Sequence, residues 1–383
     1  YLKYGQAGFG GFADYYSGDA KAAFAEVTDD TLQAEFDAAA ADAAIAMQHL
    51  SDHIGSVPAT PDGFALGAEK FSDMVRLTEA VDIPLAELKA IGEADLKRNQ
   101  AALKDACTVY APGLGLGDCM KKMGANKPEI GPVGEAREQL PELRAFLVEN
   151  DIVSIPGTEQ ALVEESPPYN RQNSAYIDIP GPYETGLPSV YYISPPDPSW
   201  DAETRAAYIP GKMDLMGTSI HEVWPGHFLN FLHANRSESV LGKLFVGYAF
   251  AEGWAHYTEE MMIEAGLHDG DPETHIGQLS NALLRDCRYL SAIGLHAEGM
   301  TVADSYNLFR DECYQDAGNS TQQAARGTYD PAYLNYTMGK LMIRKLRNDW
   351  TAKHFPDDPR SGWKAFHDEF LSYGGPPIPL VRQ

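Results

Sequence analysis

Basic residues are scarce: 30 Lys and Arg stand against 55 Asp and Glu, leaving a net charge of -25. A surface of that sign repels phosphate backbones, which argues against nucleic acid as a partner. Long apolar runs are missing too. Stretches such as residues 244–251 fall well short of the ~18 residues that cross a bilayer. Only four cysteines occur and none has CxxC spacing, so neither a zinc ribbon nor a dithiol redox motif is present. Internal repeats and low-complexity tracts are absent, which excludes a solenoid. An initiator Met and a leader peptide are also lacking at Tyr1, so the chain reads as processed or partial.

What is there suits a folded protein. The chain is 44% hydrophobic and, at 383 residues, long enough for two or three domains or one large two-lobed body. The cysteines fall into two close pairs, Cys107 with Cys119 and Cys287 with Cys313. Two loop-closing disulfides in an oxidising compartment is the preferred reading; four buried free thiols in a reducing one is the other.

Three regions are expected. Residues 1–150 form a helical lobe after an irregular Gly- and Tyr-rich start over 1–18. Apolar periodicity predicts helices over 29–53, 64–79, 84–105 and 135–150, with a turn at 60–63 and a loop-rich stretch over 107–134. Residues 151–215 hold ten of the 25 prolines and three short β-type runs, 151–155, 174–179 and 189–193, which predict a small sheet with long loops. Residues 216–383 return to helix and carry the chemistry. The fold class is therefore mainly α with a small β-sheet element.

That chemistry centres on His221-Glu222-Val223-Trp224-Pro225-Gly226-His227. Two imidazoles and a carboxylate suit one Zn²⁺, and a glutamate directly after the first histidine is where zinc peptidases place their general base. The spacing departs from the usual motif. Residues six apart on a regular helix point about 120° away from each other. Pro225 cannot donate a hydrogen bond to the His221 carbonyl, and Gly226 tolerates unusual angles, so a Pro-Gly bulge is expected to bring His227 back to His221. Glu252 follows 25 residues later on a predicted helix, at a separation that zinc peptidases use for a third, glutamate ligand.

Together, His221-Glu222-x-x-Pro225-Gly226-His227 and Glu252-Gly253-Trp254-Ala255-x-Tyr257-x-Glu259 resemble a bacterial domain-of-unknown-function family whose hallmarks are HExxPGH and EGWAxYxE. Arg285-Asp286-Cys287-Arg288, Gly294-Leu295-His296 and Tyr336-Thr337-Met338-Gly339 extend the likeness. The chain departs from the family pattern at Phe228, often a second histidine there, and at Ser291-Ala292-Ile293. The resemblance implies a gluzincin-like metallopeptidase of lipoprotein type, with a two-lobed zinc-oligopeptidase-like body and a deep cleft. It also implies a periplasmic or extracellular location, and additional amino-terminal chain, removed or persisting as an associated segment of the same precursor.

By that resemblance and by the chemistry, His221, His227 and Glu252 hold one Zn²⁺ per chain. Glu222 is the proton carrier, and Tyr336 and His296 are the candidate oxyanion donors. Glu259 orients a ligand histidine. Arg285 and Arg288 either clamp a peptide carboxylate or pair with the chain's own acids. Residues 190–193, with Tyr192, are expected to be an edge strand along which an extended peptide binds. The expected function is zinc-dependent hydrolysis of short peptides, with end-trimming and internal cleavage both open. The alternatives are a metal-free peptide- or ligand-binding protein on a peptidase fold, and a zinc hydrolase of a non-peptide amide or ester.

Overall fold

A computed structural model of the chain describes residues 2–60, 63–171 and 173–382. Within them the protein is mainly helical, with one three-stranded sheet. The helices of eight residues or more begin with α1 (Leu2–Ser17), α2 (Asp30–Ser56), α3 (Ala68–Glu79), α4 (Leu85–Tyr110), α5 (Leu116–Gly124) and α6 (Gly131–Asn150). The strands follow: β1 (Ala161–Glu165), β2 (Ala175–Asp178) and β3 (Ser189–Ile193). The carboxy-terminal half holds α7 (Lys212–Glu222), α8 (His227–Ala234), α9 (Tyr248–Glu264), α10 (Pro272–Ala297) and α11 (Val302–Asp311). It ends with α12 (Ala317–Arg326), α13 (Asn335–His354) and α14 (Trp363–Ser372).

The long helices lie where the periodicity predicts them, and several start on real caps. Asp29 accepts from the Thr31 and Leu32 amides, and Asp271 from those of Glu273 and Thr274, with Pro272 in the first turn of α10. Four expectations are corrected. The Gly-rich start is helix α1, because packing against α2 outweighs poor propensity; Ser51 Oγ on α2 donates to the Gln6 carbonyl at 2.8 Å. Residues 151–155 are not a strand. Their apolar side chains, Ile152 and Val153, are core, while the Ile152 carbonyl and Ser154 amide are engaged by His367 and Asp368 of α14. The third strand is instead Ala161–Glu165, where only Val163 is buried and the alternation is faint. The stretch over 107–134 contains α5. The turn expected at 60–63 involves Pro61 and Asp62, which lie outside the described residues. Both disulfides, Cys107–Cys119 and Cys287–Cys313, are formed. No helix among the described residues is long and apolar enough to cross a membrane.

In the sheet β3 is central, parallel to β1 and antiparallel to β2. Residues 190–193, within β3, are thus not the edge strand anticipated for substrate; β2 and β1 are the edges.

Helix α10 is the axis of the core, with twenty of its residues buried, among them Asn281, Arg285, Asp286 and Arg288. Charged groups taken out of water on every side need partners. Asp286 accepts from Asn99 of α4 at 2.6 Å and Thr337 of α13 at 3.1 Å. Burial still pushes its carboxyl up to about 7. Beside it, fully buried Lys340 of α13 donates to Asp95 of α4 at 2.6 Å, and Arg98 and Arg344 flank Glu260 of α9. These bonds lock α4, α9, α10 and α13 in register.

Helices α9 and α13 cross at two glycines. A Cβ on Gly253 would stand 2.5 Å from the Gly339 Cα, and one on Gly339 only 2.1 Å from the Ala249 carbonyl oxygen. Gly253→Ala or Gly339→Ala is therefore expected to force the helices apart and cost about 1–3 kcal/mol or more. Gly117→Ala on α5, where a Cβ meets nothing within 4 Å, is the control and should be close to neutral. Denaturant unfolding reads both, and equal stability of the three variants would contradict the tight crossing. A pH dependence is also expected. His367 sits between the Tyr257 hydroxyl, 2.7 Å from Nε2, and the Ile152 carbonyl, 2.9 Å from Nδ1. Burial pulls it from the ordinary 6.5 to about 3, so the fold holds it neutral. Its contribution is complete above about pH 6.5 and is lost as pH falls towards 3. His367→Gln should flatten that part of the stability–pH curve, and an unchanged slope would refute the assignment.

Candidate metal centre

Helix α7 ends at Glu222 and α8 starts at His227. The expected single bulge is a complete break. The Val223 and Trp224 amides fold back to the Ser219 carbonyl at 3.0 and 3.4 Å, and the Gly226 amide reaches the Ile220 carbonyl at 2.9 Å. The Trp224–Pro225 bond is cis. Gly226 is required by proximity rather than by φ, which is -72: a Cβ there would lie 1.7 Å from the His221 carbonyl oxygen. The Trp254 indole on α9 donates to the Pro225 carbonyl at 2.8 Å, tying the break to the helix that carries Glu252.

The break brings the His221 and His227 rings to 4.8 Å, edge to face. The two Nε2 atoms converge on one atom, Glu252 Oε2, at 3.2 and 3.1 Å. Donor atoms of the three residues all lie within 4.8 Å of one another. On its far side, His221 Nδ1 lies 2.7 Å from Oε1 of Glu259, which is fully buried. Glu259 also faces His256 Nδ1 at 3.3 Å and Arg285 Nη2 at 3.3 Å. Despite burial, Arg285, His256 and His221 hold its carboxyl well below the usual range, so it is an anion.

The anionic Glu259 orients an N–H at His221 Nδ1 and turns Nε2 towards the Glu252 carboxylate. A carboxylate oxygen with an imidazole nitrogen 3.1–3.2 Å away on two sides is a donor set that a shared cation satisfies. Zn²⁺ bonds of about 2.0–2.2 Å at tetrahedral angles separate donor atoms by roughly 3.3–3.5 Å, close to the two imidazole–carboxylate spacings here. The residues therefore fit a divalent metal. Without one, burial lowers the proton affinity of His227 but the facing Glu252 more than offsets this and raises it. Burial likewise raises Glu252, and the two histidines outweigh it and hold it well below its ordinary value.

These groups line a cavity of about 490 Å³ with Glu222, Asn281, Arg285, Arg288, Arg326, Tyr336 and strand β2. Glu222 is 7% exposed, and burial raises its carboxyl above the ordinary 4.5. Tyr336 Oη accepts from Arg326 at 3.1 Å, which leaves its own proton to donate; its ring lies 6.0 Å from that of His221. Arg285 is committed to Glu259 and to Asn281, whose Oδ1 is 2.5 Å from Nη1.

Two expected residues lie elsewhere. His296 does not line the cavity: it packs on Phe64 and Phe71, and its Nε2 is 2.7 Å from the Gly327 carbonyl oxygen. It shares the Arg285 face of α10, but eleven residues along, about 16 Å further down the axis. Tyr192 stands beside Tyr176 at 5.1 Å between ring centres and also misses the cavity. Conversely, Arg326 lines the cavity and was not anticipated, and Tyr248 and Asp330 hold it in place from outside the lining. Tyr248 donates to Asp330 at 2.8 Å, Arg326 Nε to the same oxygen at 2.9 Å, and Arg326 Nη2 to Tyr248 Oη at 3.1 Å. The i,i+4 spacings Tyr248–Glu252 and Arg326–Asp330 were the available signal.

A family described as "Bacterial protein of unknown function (DUF885)" matches residues 3–383, and the chain belongs to it. No curated protein matches the chain. Among solved structures, a "putative lipoprotein of unknown function" from Shewanella oneidensis is 24% identical with a TM-score of 0.74, covering 97% of this chain and 70% of that one. A "putative lipoprotein" from Colwellia psychrerythraea is 18% identical with a TM-score of 0.76, covering 97% and 65%. At these identities the likeness is one of fold.

Protein never exposed to chelator is expected to hold about one zinc per chain by atomic absorption, and Glu252→Ala to hold none. Glu259→Gln, which keeps the shape but weakens the grip on His221, should reduce zinc affinity about 10–100-fold. Failure of the unmutated protein to take up added zinc would remove the metal from this site.

Proposed function

We propose that this DUF885 member is a zinc-dependent hydrolase of peptide bonds in short peptides, working as a gluzincin-like peptidase in the cell envelope or outside the cell. The observation that carries the reading is Glu222, buried and raised in proton affinity, lining the same cavity as the converging donors of His221, His227 and Glu252. On this reading the cavity is the floor of a cleft between two lobes, and the unpaired side of β2, whose residues line it, takes the backbone of an extended substrate.

When bound, the metal supplies a Lewis acid for the scissile carbonyl and acidifies a water. Glu222 accepts the proton of the attacking water on its carboxylate and delivers it to the departing amide nitrogen. Its raised pKa suits both halves of that transfer. Tyr336 donates its hydroxyl proton to the carbonyl oxygen as negative charge develops there. Arg326, by donating to Tyr336 Oη, strengthens that donor and is itself fixed by Asp330. Glu259 holds His221 in one tautomer and orientation, with Arg285 and His256 keeping Glu259 ionised.

Glu222→Gln is expected to lower kcat on a cleaved peptide by about 10²–10⁴-fold while zinc content stays near one per chain. Tyr336→Phe should lower kcat about 10²-fold with little change in KM. Peptides, esters and non-peptide amides are compared by mass spectrometry. A zinc-loaded protein that leaves every peptide intact, or whose cleavage survives Glu222→Gln, would refute the proposal.

A further inference from the structure

The cavity holds three guanidinium groups with different partners. Arg285 is paired with Glu259, and Arg326 with Asp330. Arg288 has no carboxylate partner among the described residues. Its one hydrogen bond runs from Nε to Gln323 Oε1 at 2.8 Å, and its guanidinium carbon lies 4.7 Å over the centre of the Tyr336 ring. The residue is 7% exposed and lines the cavity. Both Nη atoms are thus left to whatever the cavity receives. Burial first, and then Arg326, lower its proton affinity to about 10, so it stays charged at neutral pH.

A buried cation without a counter-ion is costly, and this chain is not short of acids, with 55 of them. The missing anion is therefore best supplied by the ligand. Gln323 and the Tyr336 ring fix the guanidinium on two sides, a pre-set fork of the kind that holds carboxylates through paired N–H donors.

We infer that Arg288 anchors the terminal carboxylate of a peptide, which would make the proposed peptidase one that cuts close to the carboxy terminus. A peptide backbone carries a carboxylate only at that end, on the leaving side of the bond cut. The His221 ring is 6.0 Å from that of Tyr336, which is 4.7 Å from the guanidinium. An extended chain advances about 3.3–3.6 Å per residue. The anchored end therefore sets the scissile bond within about three residues of the terminus. The inference rests on the peptidase reading for its consequence but not for its test, because binding is separable from cleavage.

The test compares three versions of one short peptide: free acid, carboxy-terminal amide, and an amide with an internal Asp or Glu near that end. Binding is measured by calorimetry on zinc-loaded Glu222→Gln protein, and cleavage on the unmutated protein. The free acid should bind about 10-fold or more tighter than either amide. Arg288→Met should bring the acid down to the affinity of the amide, and Arg288→Lys should keep part of the difference. In turnover the loss should appear in KM for the free acid. Equal binding of acid and amide would overturn the inference, as would an Arg288→Met loss of the same factor for both. So would an acidic-side-chain amide that binds as well as the free acid, since the anchor would then read a side chain. The acid–amide comparison needs no Arg288 variant, so it stands even if that variant misfolds. Protein that shows the acid preference but cleaves nothing would refute the peptidase reading and leave the anchor in place.

Discussion

Two side chains six residues apart cannot converge on one point from an unbroken helix, and the arrangement of the site follows from how that constraint is met. The chain stops one helix after Glu222 and starts another at His227, so that the two imidazoles meet at right angles. The break is compact because Gly226 can press against the His221 carbonyl. It is held to its neighbour by the Trp254 indole, two residues after Glu252. Glycines at the next crossing let α13 come close enough to α9 to bring Tyr336 to His221. The sequence motifs are thus one mechanical assembly: each supplies a side chain of the candidate site and also the small residue that lets the next segment approach.

Electrostatics impose the second layer. Glu259 is a buried anion and Glu252 a part-buried one, and the groups around them keep them charged. Cations come from the central helix α10, which spends polar residues on the inside of the protein rather than on its surface. Arg285 answers Glu259 directly. Asp286, on another side of the same turn, faces the Lys340 and Asn99 cluster that aligns α4 and α13. Site and scaffold therefore share one helix, and a change in its register would disturb both.

Much of this was legible from local spacing. The long helices repeat their apolar residues over many turns, both cysteine pairs bridge within their own pairs, and the His-Glu and Glu-Gly-Trp segments state the donor set. The illegible parts depend on distances that spacing does not encode. His296 shares the Arg285 face of α10, yet its height along the axis carries it past the cavity. Tyr192 has the right character for a strand, but only the strand order reveals that β2 lies at the cavity. Arg326 and Tyr248 meet across segments 78 residues apart. The glycines of α1 looked like coil because its helix is made by packing on α2.

The Cys287–Cys313 bridge has a consequence for handling the protein. Cys287 sits between Arg285 and Arg288, so the covalent staple and two of the cavity's three guanidinium groups occupy a single turn of α10. The other end of the staple leads into α12, which carries Gln323 and Arg326. Oxidation state and cavity shape are thereby linked through a few peptide units. Material made in a reducing cytoplasm, with these sulfurs apart, would be a different preparation from material matured where they join, even if both were soluble and helical. A spectroscopic check of folding would not separate them; a thiol count would.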